Sequence, residues 1–427
     1  MFSGYKYKIG MAWLISVFVL PLPFIYTFGQ GLPALYASQA PAFMFGVIAY
    51  VWMLLAIYFG TKPKWIDRLI GLPMAYMIHG ILSLVAIILA FLHKEGSPSA
   101  GLIKLTGDYA FYLFVALAIY SLVFMAGWLT SRIRILEVIK KNLEKLFKHE
   151  LSVWLHRLNV IATILVFIHV QLIDYVRDNL SFMILFYAAS MFVTASYAWA
   201  KLKDDSKGYK GKLISNQEIA PNIRELTIRL PKKRSFRLAP GDYVFISFPN
   251  MKGMGEPHPF SIANAVGSDK LVKLVIRGDG DFTRGLRNVS APTDITVDGG
   301  FGMYQSVIKD NKAKQLLIIG GGIGVVPLLS VVDGNEKIET RFFYTVTKGT
   351  PLIYQDRIAQ WQNRQNFQAY CQEGRFQNEQ ILSILPKDMS NFVVLLGGPA
   401  NMGRHWKKIL EKAGVPVSHI YYEEFSW

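Results

Sequence analysis

The sequence predicts a bundle of six transmembrane helices followed by a cytosolic module of two domains, an antiparallel β-barrel and then a parallel α/β domain. Three observations carry this. Residues 1–203 hold six apolar runs of bilayer-crossing length. Residues 204–311 contain segments such as LTIRLP, DYVFISFP and LVKLVIRG, which alternate apolar and polar positions between turn signals. Residues 312–427 change to strand, Gly-rich turn and helix, the pattern of a parallel sheet with covered faces.

The spans are expected near 9–28, 42–60, 71–92, 107–129, 153–173 and 180–200. Their loops carry an orientation signal. Lys6 and Lys8 precede the first span, Lys62, Lys64 and Arg68 follow the second, and a lysine- and arginine-rich segment from Arg132 to Lys148 follows the fourth. Lys201, Lys203, Lys207, Lys210 and Lys212 follow the sixth, whereas the alternate loops offer only Lys94, Lys104 and Arg177. The positive-inside rule therefore places both termini in the cytoplasm. The net charge of +16 has the same origin, basic loops facing anionic lipid, and is not read as a nucleic-acid footprint. No cleavable signal peptide is evident. Within the fourth loop, Leu136, Ile139, Leu143, Leu146 and Phe147 share one helical stripe, expected to lie on the membrane surface or to dock the soluble module.

Four histidines stand out in the membrane half. His79 and His93 bracket one span, and His156 and His169 bracket another. At a rise of about 1.5 Å per residue, each pair is separated by roughly 20 Å. Both spans start on the cytoplasmic side, so His79 matches His156 in depth and His93 matches His169. Ionisable residues inside a membrane mark functional sites. Two opposed pairs at two depths make a ladder for two stacked metal centres, best fitted by haems with two axial imidazoles. The single cysteine, Cys371, excludes disulfides, a Cys-ligated iron–sulfur cluster and covalent haem attachment, so the haems would be of b type. Cys371 itself is expected to be a buried packing residue. The 13-residue step from His156 to His169 does not return to one face of an ideal helix. Either that span is distorted or its two rings point in different directions.

In the soluble half, Gly320, Gly321, Gly322 and Gly324 follow an apolar strand and open a helix containing Pro327. Glycines allow close backbone approach, and a helix N-terminus favours a pyrophosphate. A second buried strand ends in Gly397, Gly398 and Pro399. Two parallel strands ending at one crevice would set both turns beside the same dinucleotide. Earlier, EPHPFSIAN is a rigid Pro-bracketed segment presenting Ser261, and VIRGDGDFTRGL offers Arg277, Gly278, Gly280 and Thr283 for a second phosphate site.

At these residues the chain resembles the NADPH oxidase and ferric reductase superfamily, and its bacterial NADPH oxidases in particular. The resemblance extends over nearly the whole chain, and the two histidine spacings are its most specific part. It implies a ferric-reductase-like di-haem domain (1–203), a ferredoxin-reductase-like FAD domain (204–311) and an NAD(P)H domain (312–427). It implies His258, Pro259, Phe260 and Ser261 as the flavin motif, with Ser261 near the isoalloxazine and His258 near the FAD phosphates. It also implies Arg277, Gly278 and Thr283 at the pyrophosphate, 298–302 as the closing Gly-rich turn, and the 320–327 segment at the nicotinamide nucleotide. Phe425 would cover the flavin face, with Trp427 as rival. Two departures matter. Gly397 stands where many relatives have cysteine, and Thr347 and Lys348 stand where relatives that bind the 2′-phosphate often have arginine, with Arg375 a substitute. NADPH and NADH both remain open.

The expected function is electron transfer from cytosolic NAD(P)H through FAD and two haems b to external oxygen, with superoxide as product. A six-coordinate haem leaves oxygen no iron site, so that reduction would be outer-sphere. A ferric-chelate or quinone reductase on the same path is the alternative, with Lys94 able to attract either superoxide or an anionic chelate. A transporter with a redox-sensing module would show internal repeats or broken helices, and neither is clear. With no EF-hand pattern and no evident regulatory tail, activity without a regulatory subunit is expected.

Overall fold

A computed structural model describes residues 5–124, 154–204, 209–231 and 238–423. The chain divides into two compact units. One comprises 1–8, 67–71 and 204–425, the other 9–66, 72–203 and 426–427.

Ten helices matter here. They are α1 (Tyr5–Leu14), α2 (Leu22–Gln30), α3 (Ala40–Gly60), α4 (Lys64–Ile70), α5 (Leu72–Gly96), α6 (Gly101–Phe124), α7 (Asn159–Gln171) and α8 (Leu180–Asp204). In the soluble unit follow α9 (Val326–Gly334) and α10 (Ala400–Lys412). Among the described residues six helical stretches are long and apolar enough to span a bilayer: Tyr7–Gln30, Ala34–Gly60, Leu72–Gly96, Gly101–Leu122, Trp154–Gln171 and Leu180–Leu202. The chain is a six-span membrane protein. An even number of spans returns both termini to one side, and the basic loops make that side cytoplasmic. The amphipathic segment of the fourth loop lies outside the described residues.

The packing of the bundle follows from its side chains. α3 is apolar all round, and 61% of its window is buried, against 28% or less for the other spans. A helix of that composition belongs inside a bundle. It lies along α5, while α6 lies along α7. Tyr50 on α3 and Ser190 on α8 share a buried hydrogen bond of 2.8 Å, which satisfies both hydroxyls where lipid could not. Asn179 caps α8, its Oδ1 accepting from the Phe182 N–H at 3.2 Å.

The soluble unit holds two sheets. The first has strands β1 (Tyr209–Ala220), β2 (Ile223–Arg229), β3 (Tyr243–Ser247), β4 (His258–Ser261), β5 (Leu271–Arg277) and β6 (Thr293–Phe301), in the order β4-β3-β6-β1-β2-β5. All its pairs are antiparallel. Inward residues such as Leu213, Leu226, Ile228, Val244, Ile246, Leu274 and Val297 form its core. Ile262, just past edge strand β4, bridges Leu274 of the other edge strand β5, and the Ala263 N–H donates to the Lys273 carbonyl at 2.8 Å, so the antiparallel sheet curls until its edges approach.

The second sheet is parallel, with β7 (Gln315–Gly321), β8 (Glu339–Val346), β9 (Phe367–Glu373), β10 (Phe392–Gly397) and β11 (Ile420–Tyr422) in the order β11-β10-β7-β8-β9. Every residue of β10 is buried, as expected for a strand covered on both faces. Cys371 departs from its expected burial. It sits on β9, the edge strand, and its side chain is exposed.

Candidate functional site

Within the membrane bundle the structure sets His79 opposite His156, with ring centroids 5.8 Å apart, and His93 opposite His169 at 6.2 Å. Two metal–imidazole bonds of about 2.0 Å, plus about 1 Å from each nitrogen to its ring centre, require a separation of roughly 6 Å. Both pairs meet it. Each ring is also tied from behind. The Nδ1 of His79 lies 2.9 Å from the Ala56 carbonyl, that of His93 lies 3.0 Å from Ala42, and that of His169 lies 2.9 Å from Ile103. A carbonyl only accepts, so in these three rings Nδ1 carries the proton and Nε2 keeps the lone pair a metal needs. The Nδ1 of His156 lies 3.0 Å from the Ser121 hydroxyl instead.

Glycines bring the neighbouring helices close enough for this. A Cβ on Gly46 would lie 2.8 Å from His93 Nδ1, and one on Gly107 would lie 3.2 Å from the His169 ring. The question of the 13-residue step resolves as a distortion. The helix is interrupted at Arg157 and Leu158, where Arg157, Leu158 and Val160 donate to carbonyls three residues back. The tighter turn changes the direction of His156 relative to His169. Among the described residues no three or more His, Cys, Asp or Glu side chains converge on a point. Two facing imidazoles with free Nε2 atoms fit the two axial positions of a haem.

In the soluble unit, β4 carries His258, Pro259, Phe260 and Ser261, paired with Ile246, Phe245, Val244 and Tyr243 of β3. His258 stacks on Phe282 with centroids 4.2 Å apart. Arg277 ends β5 and is paired with Asp279 at 2.7 Å. Gly278 follows it, and a Cβ there would strike the Asn222 side chain at 2.3 Å. Thr283 accepts from the Gly280 N–H at 2.8 Å and closes the short turn that starts there.

The second sheet brings its two glycine turns together. Gly320 on β7 and Gly397 on β10 are direct partners, at the carboxyl ends of adjacent strands. Gly321 ends β7, Gly322 and Gly324 form the turn that follows, and Pro327 lies in the first turn of α9. A Cβ on Gly324 would lie 2.4 Å from the Gly398 Cα, and one on Gly397 would lie 2.3 Å from the Gly324 carbonyl oxygen. The missing cysteine thus has a steric reason, since backbone occupies the space a side chain at 397 would need. Gly398 and Pro399 lead directly into α10. Thr347 and Lys348 follow β8 and are exposed, as is Arg375 just past β9. Phe425 and Trp427 lie outside the described residues.

Two groups escaped the sequence reading. Arg68, counted there only as a loop charge, makes a bidentate pair with Asp242 at 2.8 Å and donates to the carbonyls of Gly300 and Gly302 at 2.7 and 3.0 Å. It thereby braces residues 298–302, which form the end of β6 and the residue after it, where the resemblance implies a Gly-rich turn, and Asp67 accepts from the Gly302 N–H at 3.2 Å. Glu423 is buried, and among the described residues its Oε2 has no hydrogen-bond partner. Burial, with Asp67 and Asp242 nearby, pushes its carboxyl well above the usual range. Only the pairing of EEF with a terminal aromatic drew attention to that segment, and nothing in it signals burial.

Comparison with known proteins adds to this geometry. Residues 214–326 match the family of FAD-binding domains. The potato respiratory burst oxidase homolog protein D is 29% identical over 147 residues, 29% of this chain and 17% of that protein. The reductase component 2 of terephthalate 1,2-dioxygenase from Comamonas is 26% identical over 133 residues, 31% of this chain and 38% of that protein. The heavy chain of a superoxide-generating NADPH oxidase from Dictyostelium discoideum is 28% identical over 162 residues, 34% of this chain and 29% of that protein. The chain spans less than half the length of each. Together these findings support an FAD- and NAD(P)H-dependent reductase module joined in one chain to a six-helix membrane domain.

Proposed function

We propose that this chain is a transmembrane oxidoreductase that moves electrons from cytosolic NAD(P)H, by way of FAD and two b-type haems, to oxygen outside, producing superoxide. The observation that carries it is the pair of facing imidazole couples, one at each of two depths, in the same chain as an FAD-binding module. When bound, the flavin accepts a hydride and releases its electrons singly, and the haems relay single electrons.

The chain's own residues do the holding and positioning. His79 and His156 hold the inner haem, and His93 and His169 the outer. Carbonyls on α3 and α6 fix three of those rings. In the module, residues 204–311 hold FAD. Ser261 would lie near the isoalloxazine with Pro259 and Phe260 in the same motif, His258 near the FAD phosphates, and Arg277, Gly278 and Thr283 at its pyrophosphate. Residues 312–427 hold the nicotinamide nucleotide on Gly320, Gly321, Gly322, Gly324 and Pro327, with Gly398 and Pro399 alongside. Thr347, Lys348 and Arg375 would serve its ribose, and the resemblance assigns Phe425 to the flavin face. Oxygen as acceptor is supported by the likeness to a protein named as superoxide-generating. Lys94 gives little support to an anionic chelate as substrate, since it is paired with Asp108 at 3.2 Å.

The test is NAD(P)H-driven cytochrome c reduction by the purified protein, with and without superoxide dismutase. Suppression by dismutase is expected. A rate that persists in dismutase and without oxygen replaces this reading with a metal or quinone reductase on the same path.

A further inference from the structure

Three of the four histidine supports follow one spacing rule, and the fourth breaks it. On α3, Ala42 and Ala56 supply carbonyls to His93 and His79, and glycines stand four residues after each, at Gly46 and Gly60. On α6, Ile103 supplies the carbonyl to His169, and Gly107 stands four residues later. Fourteen residues separate Ala42 from Ala56, and fourteen beyond Ile103 and Gly107 lie Leu117 and Ser121. Ser121 therefore occupies the place of the fourth glycine. Its hydroxyl, not the Leu117 carbonyl, lies 3.0 Å from His156 Nδ1.

We infer that Ser121 is a positioning residue that sets the inner haem apart from the outer one by giving His156 a hydroxyl partner where the other three ligands have an amide carbonyl. The inference rests on the di-haem reading above. An amide oxygen draws the Nδ1 proton more strongly than a hydroxyl does. A ligand so bound gains basicity and favours the ferric state. His156, with the weaker acceptor, donates less to its iron and leaves the Fe(III)/Fe(II) couple of that site higher. The hydroxyl also orients the ring just where the helix is interrupted at Arg157 and Leu158, so the support replaces helical rigidity as well as a carbonyl.

The experiment uses the full-length protein in detergent, with haem counted per chain by pyridine haemochrome and midpoints read from a two-component potentiometric titration of the α band. Ser121→Ala removes the acceptor while its Cβ still separates the ring from the carbonyl. One component is expected to rise by about tenfold in its one-electron equilibrium constant, about 59 mV, while the other stays in place. Ser121→Thr should restore the wild-type value, and Ser121→Gly, which opens the way to the Leu117 carbonyl, should lower the same component. Loss of one haem in Ser121→Ala with recovery in Ser121→Thr supports the inference equally. Two haems with both midpoints unmoved in Ser121→Ala and Ser121→Gly overturn it, as does an equal shift of both components. Wild-type protein with fewer than two haems overturns the di-haem reading itself, which the titration of the variants does not decide.

Discussion

A Cβ placed on Gly46 would lie 2.8 Å from Nδ1 of His93, inside any real contact distance and against the same nitrogen that lies 3.0 Å from the Ala42 carbonyl. The opposing atoms are a ring held by its own helix, so relief requires the ring to move. On the di-haem proposal, Gly46→Ala is therefore expected to cost the protein one haem. Gly60, four residues after the His79 support, offers a control, because a Cβ there meets nothing within 4 Å. Gly60→Ala should keep both haems and stabilise α3 by up to ~1 kcal/mol through helix propensity. Haem content per chain, with thermal unfolding by circular dichroism, checks both. Equal haem content in the two variants would count against the pocket around His93.

Replacing His93 itself separates the two halves of the electron path. His93→Ala leaves His79 and His156 intact. Haem content should fall from two per chain to one, and external reduction should be lost. Anaerobic stopped-flow reduction of the flavin by NAD(P)H should keep its wild-type rate. Slow flavin reduction in this variant would place the defect in the module and remove His93 from the path.

Much of this was legible in the chain, for physical reasons that differ by region. The membrane spans were visible because bilayer thickness demands long uninterrupted apolar runs. α3 could be read even so as a span, though not as the central one, since uniform apolarity hides which face meets protein. The parallel sheet was visible in its buried strands and glycine turns, whose crowding at Gly324 and Gly397 leaves room for no side chain. The backbone supports of the histidines were not visible. A carbonyl acceptor is the same atom on every residue, and only the helix pairing picks out Ala42, Ala56 and Ile103. Arg68 and Glu423 were missed for a related reason. Their roles depend on partners far along the chain, Asp242 lying 174 residues from Arg68, and a charge in sequence does not reveal whether it is buried.

Glu423 makes stability depend on pH in a direction opposite to that of an ordinary paired carboxylate. Burial first, and then the Asp67 and Asp242 charges, raise its carboxyl well above the ordinary value of 4.5. Between 4.5 and the raised value, the folded state holds a proton that the unfolded state has released. Stability must then fall as pH rises through that window, and the penalty is absent below it. Glu423→Gln is neutral at every pH. It should flatten the decline above pH 4.5 and raise the melting temperature at neutral pH. Release of flavin fluorescence on heating follows both. Parallel pH profiles for the two proteins would mean that the carboxyl titrates normally.

At the end of β8 the residues proposed to serve the nucleotide ribose carry mixed charge. The turn Thr347–Thr350 is closed by the Thr350 N–H donating to Thr347 at 2.9 Å, and the Gly349 N–H is taken by the Glu373 carboxylate at 3.1 Å. Lys348 and Arg375 are exposed on either side. In sheets of this kind an acidic group here binds the ribose diol, whereas a cation accommodates a 2′-phosphate. Glu373 occupies a backbone donor that a phosphate could use and adds a repelling charge. Glu373→Gln is accordingly expected to lower KM for NADPH by roughly tenfold, through loss of the repelling charge, and to raise KM for NADH, whose ribose diol loses an acidic partner. Lys348→Ala and Arg375→Ala should move KM for NADPH in the other direction and leave NADH alone. Steady-state cytochrome c reduction with each nucleotide gives the comparison. Equal changes for the two nucleotides would place these side chains outside the 2′ position.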